Sequence, residues 1–208
     1  MSFVEDTGNA STRMGLKALI REDYRNHFSD WTRPGFRAIA VYRFGFWARG
    51  LKPGLKRRIL VRLHLTAFRY VRNRYGIEIA ATAKIGRRFH IGHQNAIVVH
   101  AHASIGDDCK IRQGVTLGVG GLERDIDFSK SGPVIGNRVD IGAGAMIVGK
   151  VTIGDDVNIG PNAVVMVNVP ANSTVLGPPA RILPRPAPAA EGKAHAAGAT
   201  APSFSRLN

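Results

Sequence analysis

An isoleucine or valine returns every six residues through the middle of this chain. Ile79, Ile85 and Ile91 share one phase. Val99, Ile105, Ile111 and Leu117 share the next, after a break between Ile97 and Val99. Ile135, Ile141, Ile147, Ile153, Ile159 and Val165 continue it. Two residues before the aliphatic stands a small or β-branched residue, as at Ala83, Ala103, Cys109, Val115, Val139, Ala145, Val151, Val157 and Ala163. Glycine often follows it, as at Gly86, Gly106, Gly136 and Gly154. A period of six fits neither a helix nor an alternating strand. It fits a solenoid in which each hexad makes one short strand and one corner, with the aliphatic pointing inward.

Before residue 76 the period is helical. Residues 15–30 predict a helix with Leu16, Leu19, Ile20 and Tyr24 on one stripe. Arg33-Pro34-Gly35 breaks it, and residues 36–49 predict a second, aromatic-rich helix. Lys52-Pro53-Gly54 is the next break. Residues 55–74 predict a third helix with Leu60, Leu63, Ala67 and Val71 facing inward. The organisation is therefore a basic helical segment (1–75), a solenoid (76–183) and a Pro- and Ala-rich tail (184–208) expected to be disordered. Residues 118–133 lack the repeat and must project as a loop, and VPANSTVLGPPARIL after Val165 suits a cap.

Charge sharpens this division. Residues 1–75 hold 16 Lys and Arg against 5 Asp and Glu, a net of +11, and no acid occurs between Asp30 and Glu78. Such a block suits an anionic partner, and residues 49–74 are the candidate contact with an anionic membrane surface. A solvated helical face is the competing reading. Nucleic acid is not expected, because nothing beyond charge supports it. A single cysteine, Cys109, excludes an internal disulfide and fills a small buried slot. The opening residues carry no apolar core and no run suffices to span a bilayer, so a cytoplasmic chain, soluble or peripherally bound, is expected.

Longer strings carry more. GIEIAATAKIGRRFHIGH, IRQGVTLG, VDIGAGAMIVGKVTIGDDVNIGPNAVV and VLGPPARI resemble the serine acetyltransferase family of hexapeptide-repeat acyltransferases. GRRFHIGHQNAIVVH and the short helical segment also look like its colanic-acid-type exopolysaccharide acetyltransferase branch. The resemblance covers roughly residues 33–183. It implies a mainly β fold, a left-handed parallel β-helix preceded by a short helical segment. It also implies a homotrimer with active sites between subunits, and acetyl-CoA as acyl donor.

O-acetyl transfer needs a base for the acceptor hydroxyl, and neutral histidine suits that task near pH 7. By resemblance His93 is that base and Glu78 is the carboxylate that orients it. A surface histidine beside a solvated glutamate is the alternative. Their separation of 15 residues suits one coil less the offset of neighbouring faces. His90, three residues upstream, is a candidate to face the same cleft. The resemblance also implies that Gly142, Ala143, Gly144, Ala145 and Gly160 let backbone approach the pantetheine arm and that Arg181 meets a phosphate, while a tight β-helix corner needs the same small residues with no ligand. His100 and His102 invite a metal reading, but no further ligand stands at suitable spacing, so no metal is expected.

Two departures bear on the acceptor. Gly92 stands where serine acetyltransferases carry an aspartate, and Ser131 and Gly132 replace the Arg-His pair that grips the serine carboxylate. A zwitterion needs partners for both charges. The pattern keeps the reaction and tilts the acceptor toward a sugar of a surface polysaccharide or its precursor. L-serine is the alternative, and a non-catalytic scaffold is the alternative of another class.

Overall fold

The computed structural model describes residues 14–120 and 132–179. The loop at 121–131, Arg181 and the tail lie outside the described residues. Among the described residues three helices come first: α1 (Leu16–Asn26), α2 (Pro34–Gly50) and α3 (Leu55–Tyr75). Gly76 closes α3 in the left-handed conformation, φ 62°, which its missing Cβ permits. Fourteen strands of two or three residues follow among the described residues, from β1 (Ile77–Ile79) to β14 (Thr174–Val175).

The strands stack in three parallel faces. Face A orders β1 (Ile77–Ile79), β4 (Ile97–Val99), β7 (Thr116–Gly118), β10 (Met146–Val148) and β13 (Val164–Val165). Face B orders β2 (Lys84–Ile85), β5 (Ser104–Ile105), β8 (Val134–Ile135) and β11 (Thr152–Ile153). Face C orders β3 (His90–Ile91), β6 (Lys110–Ile111), β9 (Asp140–Ile141), β12 (Asn158–Ile159) and β14. The result is a three-sided parallel β-helix, one hexad to a side. The hexad aliphatics align in register, as Ile85 with Ile105 and Ile135 do. They and the small residues two positions earlier are buried. Cys109 is among them, and burial pushes its thiol up to about 12, so it packs as a small apolar residue.

The third helix departs from expectation. Val71 is buried as expected, but Leu63 is 58% exposed, and His64 and Tyr75 complete the inner face. The cause lies on α2: a Cβ at Gly45 would overlap the His64 ring, so glycine there admits the ring and sets the rotation of α3.

A buried polar clamp ties the helices to the solenoid. Asp23 on α1 accepts from Arg43 Nε on α2 at 2.8 Å, and both are buried. The same guanidinium donates to the carbonyls of Ile85 (2.7 Å) and Gly86 (2.5 Å) at the β2 corner. Tyr42 adds a bond to the Ala83 carbonyl at 2.7 Å. Burial raises the Asp23 pKa, and the Arg43 charge opposes that rise. Removing one member strands the other charge, so Arg43→Ala is expected to cost about 3–5 kcal/mol. Urea denaturation of the two proteins measures it, and a change under about 1 kcal/mol would contradict this role of the clamp.

Candidate active site

The site begins where the repeat is irregular. Register pairs Ile77 with Ile97, a coil of 20 residues, whereas Val99 to Leu117 and Ile147 to Val165 each take 18. The two extra residues fall between Ile91 and Ile97, where face C turns into face A. Asn95 (φ 82°) and Ala96 (φ 53°) both adopt left-handed backbone there. His93 stands exposed on this widened corner.

The corner is held from both sides. Asn95 N–H donates to the Tyr75 carbonyl at 2.9 Å, and the Asn95 carbonyl accepts from Gly114 N–H at 3.0 Å. The ladder continues from Gly144 N–H to the Gln113 carbonyl and from Asn162 N–H to the Ala143 carbonyl, each 2.9 Å. One edge of the prism therefore carries His93, Ala143, Gly144 and Gly160. Strand stacking puts the Gly144 corner about 10 Å along that edge from the His93 corner. Ala145 turns inward and is fully buried, and Gly142 is buried against Gly160 and Pro161. Of the expected donor-binding residues, Ala143, Gly144 and Gly160 keep exposure at the edge.

A cleft of 540 Å³ opens beside this corner, lined by His93, Gly92 and His90. Its floor is the outer side of face C, where His90, Lys110 and Asp140 lie in register. Its wall is the chain after α1. His27 is buried there, and its Nε2 accepts from Ile91 N–H at 3.1 Å while Nδ1–H donates to the Asp23 carbonyl at 2.7 Å. The His27 ring stacks on His90 with centroids 4.6 Å apart. Phe28 meets His90 edge-on at 5.8 Å, and the Arg33 guanidinium lies 4.5 Å from the Phe28 centroid.

His90 Nδ1–H donates to the Asn26 carbonyl at 2.8 Å, which leaves Nε2 as an acceptor in the neutral ring. Burial lowers the His90 pKa, and the charges of Lys110, Arg33 and Arg112 lower it further. All three cations line the cleft, and among the described residues no carboxylate does, Asp140 lying one coil beyond Lys110. Arg112 is tied to Asp140 in a two-pronged ion pair. These cations and Phe28 were not among the residues expected from sequence. Lys110 and Arg112 flank Ile111, one coil after Ile91, so the coil length adds them to the site. Arg33 arrives through packing of the chain after α1, which no spacing encodes.

The remaining expected residues lie elsewhere. Glu78 is half-buried on the outer side of face A, level with Val98, and no hydrogen bond joins its carboxylate to His93. Gly92 has room for a side chain: a Cβ there would sit 3.5 Å from the Ile111 carbonyl oxygen. Gly132 does not, because a Cβ would overlap the His102 carbonyl where face A turns into face B. It therefore lies at a different corner of this chain from His93. His100 and His102 share that corner with ring centroids 5.4 Å apart, and among the described residues no cluster suits a metal ion. A second pocket of 360 Å³, between α1, α2 and β2, offers only Tyr42 and Arg43 as titratable lining, both already bonded to solenoid carbonyls.

Residues 132–166 match the family model for the bacterial transferase hexapeptide (six repeats). The chain is 39% identical over 150 residues to a serine acetyltransferase of Helicobacter pylori, covering 72% of this chain and 81% of that one. Its fold matches serine acetyltransferase isoform 3 of Entamoeba histolytica, solved in complex with cysteine. The TM-score is 0.64 at 25% identity, over 82% of this chain and 62% of that one. It also matches the Brucella abortus serine acetyltransferase solved in complex with coenzyme A. There the TM-score is 0.65 at 27% identity, over 80% of this chain and 67% of that one.

The wall of the cleft depends on a neutral His27. Burial holds its pKa down to about 4 from 6.5. Between those values the unfolded chain binds a proton that the folded chain does not, so acidification from pH 7 toward 4 removes stability. The contribution is about 3 kcal/mol. Thermal melts across this range are expected to fall more steeply for the wild type than for His27→Gln, and parallel curves would refute the assignment.

Proposed function

The chain belongs to the serine acetyltransferase family, and from that premise we propose that it transfers the acetyl group of acetyl-CoA to the hydroxyl of L-serine. The observation that carries this reading is the exposed His93, on a widened corner at the mouth of a cleft, within the string that resembles the family's catalytic segment. His93 takes the hydroxyl proton as the oxygen attacks the thioester carbonyl. The tetrahedral intermediate then collapses, and the imidazolium returns the proton to the departing thiolate. By the family resemblance Glu78 is the carboxylate that orients the imidazole. Ala143, Gly144 and Gly160 let the donor's arm lie along the prism edge.

A second reading has its own support. Gly92 leaves out an acid for which there is space, and Gly132 is closed to any side chain. The first departure favours an acceptor without serine's amino group and the second one without its carboxylate held at that position, such as the sugar of a surface polysaccharide treated by the exopolysaccharide-type branch. The proposal extends to a homotrimer with active sites between subunits, acting in the cytoplasm. It extends also to contact between α3 and an anionic membrane. Leu55, Ile59, Leu63 and Tyr70 are more than half exposed on a helix that carries seven cations and no acid.

Thiol release from acetyl-CoA is expected with L-serine at millimolar concentration, and His93→Ala is expected to lower kcat by about 10²–10⁴-fold. Turnover of nucleotide sugars or oligosaccharides without serine would select the second reading. Full activity in His93→Ala would end both. The chain is also expected to sediment with vesicles containing anionic phospholipid and not with neutral ones, and equal binding to the two would remove the membrane contact.

A further inference from the structure

We infer that Lys110 and Arg33, with Arg112 behind them, receive an anionic group of the acceptor whose hydroxyl reaches His93. This rests on His93 being the base of the proposed reaction. It supplies what the sequence lacks, since Ser131 and Gly132 offer no positive charge where the family's carboxylate grip would lie.

The geometry carries the argument. Among the described residues, three cations and no carboxylate line the cleft that His93 borders. Three acids stand near them, and Asp108, which lines a neighbouring pocket with Lys110, is held in a two-pronged pair by Arg88. Asp140 neighbours Lys110 in register but is engaged by both terminal nitrogens of Arg112, of which Nη1 also reaches the Ile141 carbonyl at 3.3 Å. Asp30 lies 3.6 Å from Arg33 in an exposed pair and accepts two further bonds from Thr32. An exposed pair of this kind is worth little. Lys110 has no salt bridge among the described residues, and it projects from the floor between His90 and Asp140. Arg33 overhangs from the wall, steadied by the Phe28 ring.

The chemistry of the cleft follows. His90 is held neutral, with Nδ1 committed to Asn26, so it presents an acceptor to the cleft and does not add a fourth charge. A small molecule with an anionic group at one end and a hydroxyl at the other fits this arrangement. The anion sits over Lys110 under Arg33, and the hydroxyl points to the His93 corner. The carboxylate of a hydroxy-amino acid has that form, and so does an acidic sugar. The phosphates of coenzyme A are the other anions present during turnover, so the test separates donor from acceptor.

Steady-state kinetics of the full chain decide between these outcomes. For Lys110→Ala and Arg33→Ala the KM for L-serine is expected to rise tenfold or more, with the loss carried by KM rather than kcat. The KM for acetyl-CoA is expected to hold, and Lys110→Arg to restore most of the loss. Serinamide, which lacks the carboxylate, is expected to respond little to either substitution. A raised KM for acetyl-CoA alone would assign the cations to the donor and overturn the inference, as would equal losses with serine and serinamide. If the wild type does not turn over L-serine, that failure belongs to the proposed function. The inference is then read from histidine-ring NMR of the full chain titrated with glycolate and with ethylene glycol. Shifts at His90 with glycolate, absent with ethylene glycol and abolished in Lys110→Ala, support it. Equal responses to the two probes, or to glycolate in wild type and variant, refute it.

Discussion

The Arg43 guanidinium is the point through which the helices and the solenoid are joined. It lies inside the protein against Asp23 and two carbonyls of the β2 corner. A charge so placed is tolerated because each of its three nitrogens finds an acceptor, one of them a carboxylate. Its partner Asp23 also offers its own backbone carbonyl to His27, and His27 receives Ile91 N–H in turn. One connected set of polar contacts therefore runs from α2, through the end of α1, to the strand that precedes the His93 corner. Nonpolar packing alone would leave the helices free to slide along the prism. Directional bonds to β2 and β3 fix the height at which they dock.

That height matters because the cleft is made of two unlike materials. Its floor belongs to the repeat, where a side chain's place follows from counting residues. Its wall belongs to the chain after α1, where place follows from packing. Gly35 completes the junction: a Cβ there would overlap the Ile91 carbonyl, so only glycine lets the start of α2 lie directly on β3.

The same distinction explains what the sequence makes legible. The hexad phase identifies the inward residues of all three faces, and the helical stripes locate three helices within a few residues. His93 and the small residues of the prism edge are legible through their resemblance to known strings. Leu63 misleads because amphipathic spacing cannot register a neighbour's missing side chain, here that of Gly45. Ala145 misleads because membership of a small-residue run does not distinguish an inward slot from an outward corner. Arg33 and Phe28 escape altogether, since a break between helices reads as punctuation until its packing partner is known.

The 20-residue coil has one more consequence. A solenoid of equal coils is nearly symmetric under translation along its own axis. A ligand lying in such a groove meets similar surroundings at every step and has no preferred stop. The longer corner at residues 92–96 removes that degeneracy in a single coil. It acts as an index mark on a ruler, giving the groove an origin from which the distance to a reactive centre is defined.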